Sequence, residues 1–240
     1  MKYIYGPISS RRLGVSLGIN LTPYKICPYD CVYCQLGKTT LKTTERAEYL
    51  PAGEILEELK MWLHENPEDA KTLQFITFSG SGEPTLNTNI GFLIDQVKKI
   101  SGVPVAVITN GSLLPDPEVR RTLLTADLLL PSLDAVEQDI FEAIDQPCEG
   151  IKVEGIISAL IELRKEFHGK IWLEVMLVKG LNDKEEHLLQ LKEIVEKINP
   201  DKIHFVSPVR LPAGQNADSV SEAKLKKIKK LFGPKAEFFS

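Results

Sequence analysis

Six short runs rich in Val, Ile, Leu and Phe, each followed by an amphipathic stretch, constrain this chain more than any other feature. The apolar runs lie at 14–20, 73–78, 103–109, 127–133, 171–178 and 202–207. The amphipathic stretches lie at 53–65, 90–100, 117–125, 151–167, 184–198 and 221–232. Runs this short and this continuously apolar read as strands buried on both faces. Strands alternating with helices imply a parallel sheet, and crossovers of one hand curl it towards a barrel. Six units rather than eight predict an α/β fold, an incomplete (β/α)6 TIM-like barrel open on one side, as one domain over 1–240. The last helix is the best marked. Ser219 and Glu222 give a capping box, Leu225, Ile228 and Phe232 an apolar stripe, and Gly233 with Pro234 the stop. Its five lysines read as a solvated face.

A core for such a barrel is available, since 43% of the 240 residues are hydrophobic. A formal net charge of −4 gives no global pull towards nucleic acid or an anionic membrane. The opening MKYIYGPISSRR lacks an apolar signal core, and no apolar run approaches the ~20 residues of a membrane span. The expectation is a soluble cytoplasmic protein with no membrane partner. Only four cysteines occur, and three fall at 27, 31 and 34. A disulfide framework spreads its cysteines; clustering favours a metal site.

In barrels of this kind the chemistry sits on loops at the carboxyl ends of the strands. Cys27, Cys31 and Cys34 form a C-x3-C-x2-C triad in the loop after the first strand. Three thiolates can ligate three irons of a [4Fe–4S] cube, where the usual arrangement has four cysteines. The fourth iron is then open, as in a catalytic rather than a structural metal site. A zinc knuckle needs a fourth Cys or His at finger spacing, and the next candidate, His64, lies inside a predicted helix.

With Tyr33 before its last cysteine, this triad after a first barrel strand resembles the radical S-adenosylmethionine (SAM) superfamily. The opening from Tyr5 to Gly14 and the segment from Cys27 to Gly37 are similar to a narrower group, small stand-alone iron–sulfur oxidoreductases classed near the wyosine-forming tRNA enzymes. The resemblance implies one [4Fe–4S] cluster on Cys27, Cys31 and Cys34, with SAM bound at the open iron. It also implies reductive cleavage of SAM to a 5′-deoxyadenosyl radical, and hydrogen abstraction from a substrate. The substrate is a nucleoside or tRNA, a glycyl-radical enzyme or a small metabolite. The electron comes from an external donor such as flavodoxin or ferredoxin. No second cysteine triad and no flavodoxin-like domain occurs, which argues against wyosine formation itself.

The other strand-end loops fit this expectation. Gly80, Ser81, Gly82 and Glu83 follow the second strand, where the glycines free the backbone for close approach. By resemblance this is the motif that receives the methionyl ammonium of SAM, with Ser81 in place of a second glycine. Thr109 and Asn110 follow the third strand, as an Asn-Gly turn or, by resemblance, as a wall of the SAM pocket. Ser132 and Asp134 follow the fourth and either bind the methionyl carboxylate or ribose, or cap the next helix. The loop from Lys179 to Asp183 reads mainly as a structural turn into a helix, with Val178 against adenine and Ser207 against the nucleoside as what the resemblance implies. Arg12, Glu174 and Arg210 are substrate candidates, Arg210 equally a rim ion pair. Arg11, Arg12 and Lys25 suit a carboxylate or phosphate, or offset the charge of a cluster. Lys25 has the amine of a Schiff-base lysine, but nothing in the sequence shows the lowered pKa that role needs. His204 reads as a satisfied core histidine, and Cys148 as a free thiol. The competing class is an iron–sulfur electron carrier or a structural metal-binding module, which needs no SAM pocket.

Overall fold

The computed structural model describes residues 1–208 and 217–239. Its elements run β1 (Ile4–Ser10), β2 (Gly14–Ile19), β3 (Ile26–Cys27), β4 (Leu41–Lys42), α1 (Ala52–Glu65), α2 (Pro67–Thr72), β5 (Phe75–Phe78), α3 (Ile90–Ser101), β6 (Val105–Thr109), α4 (Pro117–Leu123), β7 (Leu128–Pro131), α5 (Gln138–Asp145), α6 (Val153–Glu166), β8 (Lys170–Met176), α7 (Glu185–Ile198), β9 (Lys202–Val206), α8 (Glu222–Phe232) and β10 (Ala236–Phe239). The main sheet has the order β1-β2-β5-β6-β7-β8-β9-β10. Every neighbouring pair is parallel except β1 with β2. The sheet curls into a partial TIM barrel, with β2, β5, β6, β7, β8 and β9 as the six strands read from the sequence.

Alternation along the strands separates two interiors. Leu17, Ile76, Val107, Leu129, Leu173 and Phe205 pack outward against the helices in the main core. Each of these buried side chains contributes roughly 1.5–3 kcal/mol. Helix α1 meets them with Ile55, Leu56, Leu59 and Trp62, and α3 with Ile90, Leu93, Ile94 and Val97. Both sets keep helical spacing. The alternate strand positions face the barrel interior. There Leu13, Ala106, Leu128 and Leu130 cluster with Phe75, Ile108 and Trp172. Leu13 belongs to the β1–β2 turn, so that hairpin closes the amino-terminal end of the interior.

The hairpin strand β1 and the terminal strand β10 were not expected. β1 is an edge strand with mostly exposed positions and tolerates Pro7, as only an edge can. The start of α8 also differs from the capping-box expectation. Ser221 caps it, accepting from the Lys224 amide. Ser219 instead donates to the Pro208 carbonyl.

Candidate active site

The loop that leaves β2 carries the three cysteines and is bonded on two sides. On one side the Lys25 amide donates to the Ser81 carbonyl at 2.5 Å, and the Glu83 amide to the Ile26 carbonyl at 3.1 Å. The short strand β3 therefore lies against the loop after β5. On the other side the Asp30 amide reaches the Asp145 carbonyl at 3.1 Å, Val32 reaches Ile144 at 2.9 Å, and the Cys148 amide reaches Pro28 at 2.8 Å. The loop thus docks on the carboxyl end of α5. Lys25 adopts φ +56°, is 3% exposed, and its Nζ donates to Thr39 Oγ1 at 3.3 Å.

Cys27, Cys31 and Cys34 are half-buried and unbridged. Asn110 Nδ2 donates to Cys27 Sγ at 3.3 Å, and Cys31 Sγ donates to Asp145 Oδ1 at 3.3 Å. Burial pushes the Cys27 thiol up to about 12, and the Glu83 charge adds to it, while Lys25 opposes. Burial also raises Cys31, followed by Asp145 and by Cys27 itself. A coordinating metal reverses this, because it binds the thiolate and releases the proton. Among the described residues, no group of three or more His, Cys, Asp or Glu side chains is arranged to hold a single metal ion. A cube takes one thiolate per iron and does not require the sulfurs to share one ion's shell. The donor set, three free thiols on one loop with an amide donor on one of them, fits an iron–sulfur group.

The second loop is held tightly. At Gly82 an added Cβ would lie 2.1 Å from the Ile26 carbonyl oxygen, so only glycine lets β3 come this close. Gly80 has φ +112°, and Ser81 donates through its amide and hydroxyl to Asn20 Oδ1. The Glu83 carboxylate, 2% exposed, turns inward. Its Oε1 accepts from the Thr85 amide at 3.1 Å, the Thr85 hydroxyl at 2.6 Å and the Thr109 hydroxyl at 2.7 Å. Its Oε2 accepts from the Asn110 amide at 2.8 Å. Burial raises its pKa and these bonds oppose the rise. Glu83 therefore ties the loops after β5 and β6 together. Thr109 completes the turn by accepting from the Gly111 amide at 3.1 Å.

The loop after β7 meets the cysteines from the opposite side. Tyr33 donates its hydroxyl to Asp134, and Asp134 Oδ1 accepts from the Met176 amide at 2.8 Å. Asp145 lies 3.5 Å from the same hydroxyl. Burial raises both carboxylates, and Asp134 pushes Asp145 further. Asn182 staples this region by donating to the Asp134 and Met176 carbonyls, each at 2.7 Å. Ser132 bridges to Glu174 on β8, and its amide donates to the Thr109 carbonyl at 2.9 Å. Asp145, Asn182 and Thr85 carried no signal in the sequence. Each lies far along the chain from its partner or inside an ordinary helix or turn.

The remaining candidates divide between the edge of this cluster, where Val178 shares an apolar cluster with Tyr33, and positions elsewhere in the barrel. Val178 is buried beside Ile144 and Ala217, with its amide on Asn182 Oδ1 at 2.8 Å. The Ser207 amide donates to the Phe239 carbonyl of β10 at 3.1 Å. Arg12 and Glu174 pair with each other. Arg12 sits in the β1–β2 turn at the amino end of β2, away from the cysteine loop at its carboxyl end. His204 is buried and neither ring nitrogen makes a hydrogen bond among the described residues, while the Glu237 carboxylate lies 3.5 Å from Nε2. It packs between Trp172 and Phe239, with ring centroids 5.2 and 4.9 Å away. Cys148 is a free, half-buried thiol beside the cysteine loop. Arg210 lies outside the described residues.

A model of the radical SAM superfamily matches residues 21–191. The chain belongs to the radical SAM superfamily. Membership implies an iron–sulfur cluster and SAM binding, which agrees with the loops just described. A protein of Brachyspira hyodysenteriae named GTPase Obg is 45% identical over 96% of this chain, which spans 33% of that protein. A UPF0026 protein of Methanocaldococcus jannaschii is 33% identical over 89% of this chain, which spans 65% of it. The chain thus spans a third to about two thirds of the length of these relatives. The structure of TYW1 with a lysine-pyruvate adduct bound superposes with a TM-score of 0.66 at 19% identity, over 90% of this chain and 72% of that one. That likeness shows the fold alone. Among the described residues no helix is long and apolar enough to cross a membrane.

Proposed function

We propose that this chain is a radical SAM enzyme whose Cys27, Cys31 and Cys34 hold one [4Fe–4S] cluster with an open iron for SAM. Bound together, the two groups supply reductive cleavage of a sulfonium and a carbon radical that takes hydrogen from a substrate. The residues of this chain hold, orient and shield. The cysteines bind iron. Glu83 braces the two loops that flank the site, through Thr85, Thr109 and Asn110. Residues 80–82 bring backbone close to the ligand, and Tyr33 with Asp134 closes the side facing β7. Ser132, Val178 and Ser207 line the remainder of the SAM path.

The observation that carries this reading is the gathering of the cysteine loop onto the ends of β5 and β6. The Glu83 amide holds Ile26, and the Asn110 amide group meets the sulfur of Cys27. An electron carrier has no use for glycines that let two loops approach this closely.

The electron comes from an external donor such as a flavodoxin or ferredoxin, in the cytoplasm, where reducing conditions keep thiols free. The substrate is a nucleoside or tRNA, a glycyl-radical enzyme or a small metabolite, and the whole chain acts as one radical SAM core. Anaerobic reconstitution with iron and sulfide, then dithionite and SAM, tests the reading. The wild type and Cys148→Ala should release 5′-deoxyadenosine, and Cys31→Ala should not. Equal product from Cys31→Ala would refute the ligand assignment.

A further inference from the structure

We infer that Asn110 sets the reduction potential of the iron–sulfur group carried by Cys27, as a positioning residue that donates to a ligating sulfur. This rests on the cysteine assignment proposed above and goes beyond it.

The orientation of the side-chain amide is fixed by its neighbours. Asn110 Oδ1 accepts from the Ser112 amide at 2.9 Å, so the other branch must be the NH2 group. That group meets Cys27 Sγ at 3.3 Å. The Asn110 backbone amide is anchored in turn on Glu83 Oε2 at 2.8 Å. The residue is therefore held at its main chain and at its side-chain oxygen, and the NH2 group is left to the sulfur. Among the described residues it is the one side chain that donates to a cysteine sulfur. Cys31, by contrast, faces the carboxylate of Asp145.

Hydrogen bonds to ligating sulfurs are one of the levers that set the potential of an iron–sulfur cluster. Reduction adds one negative charge, and a donor stabilises the more negative state. The lowered local dielectric around the half-buried Cys27 strengthens that preference. Removing the donor should make the cluster harder to reduce. Letting water in through a loosened loop would act the other way, since water also stabilises the reduced charge. The sign therefore separates a lost hydrogen bond from a loosened loop.

The test is an EPR-monitored redox titration of the reconstituted wild type, Asn110→Ala and Asn110→Asp, with iron and sulfide content measured on each. Asn110→Ala should lower the one-electron reduction constant roughly tenfold, a downward shift of ~59 mV. Asn110→Asp keeps an oxygen for the Ser112 amide, so the turn persists, but presents a carboxylate oxygen to the sulfur. Its potential should fall further. If Asn110→Ala fails to hold iron, Asn110→Asp decides. Potentials equal to or above the wild type, at equal iron content, overturn the inference while leaving the cysteine assignment standing. Loss of iron from both variants in a folded chain also overturns it, in favour of a role in holding the loop. A wild type that takes up no iron overturns the proposed function, and this inference with it.

Discussion

Replacing Glu83 with Ala should unfold the site rather than merely weaken a ligand contact. The carboxylate is 2% exposed and accepts four hydrogen bonds. The hydroxyls of Thr85 and Thr109 can rotate to other acceptors. The amides of Thr85 and Asn110 cannot, because the backbone fixes them. Each buried donor left without a partner costs about 1–3 kcal/mol, so the two together cost about 2–6 kcal/mol. In a chain of this size 1 kcal/mol moves the melting temperature by roughly 2–4 °C, which gives a fall of roughly 4–24 °C. Circular dichroism melts of the metal-free protein measure it directly. Iron uptake should fall as well, because the loops after β5 and β6 lose the tie that holds them together beside the cysteine loop. Glu83→Gln keeps one acceptor and should fall between the two. A Glu83→Ala melting temperature within about 2 °C of the wild type, with only SAM affinity reduced, would refute this. The carboxylate would then be an open ligand for the SAM ammonium, as the sequence motif alone suggests.

Three further outcomes follow from particular residues. Gly82→Ala should reduce both iron content and SAM affinity, because its Cβ would sit 2.1 Å from the Ile26 carbonyl and push β3 away. Gly53→Ala, where nothing lies within 4 Å of an added Cβ in α1, should instead be neutral or stabilise by about 0.5–1 kcal/mol. His204 has its pKa lowered to about 4, by burial first, with Arg12 and Lys202 adding and Glu237 opposing. Between pH ~4 and ~6.5 the unfolded chain binds more protons than the folded one, so stability should drop as pH falls through that window. The slope is at most ~1.4 kcal/mol per pH unit. Urea unfolding of wild type and His204→Phe at neutral and acid pH reads it, and an identical acid sensitivity in the two would contradict the assignment.

The six inner strands were legible because they are buried on both faces. β7 shows it most clearly, with Leu128, Leu129, Leu130 and Pro131 all buried. The edges were not legible, for the converse reason. β1 exposes most of its positions, and β10 is a four-residue strand at the end of the chain. The cysteines were legible because their spacing is local, and the loops after β5 and β6 because glycine marks a close backbone approach. What the site does with its side chains was less legible. Glu83 followed a motif, yet its direction depends on Thr85 and Thr109, and nothing in the motif states which way a carboxylate turns. Asp145 lies more than a hundred residues from Cys31 and reaches it only because α5 docks on the cysteine loop. Arg12 read as a charge for a substrate anion or the cluster, and Glu174 as one that must face the lumen or be paired. That the two pair with each other was not legible, because a pair formed across a barrel interior leaves no trace in local sequence.

That three cysteines hold a cluster whose remaining iron receives SAM is tested most directly by EPR of the dithionite-reduced, reconstituted protein before and after SAM is added, with Cys27→Ala, Cys31→Ala and Cys34→Ala alongside. The wild type should give a [4Fe–4S] signal that changes shape when SAM binds, and each cysteine variant should lose it. A wild-type signal that SAM leaves unaltered, or one that survives the loss of any of the three cysteines, would contradict this.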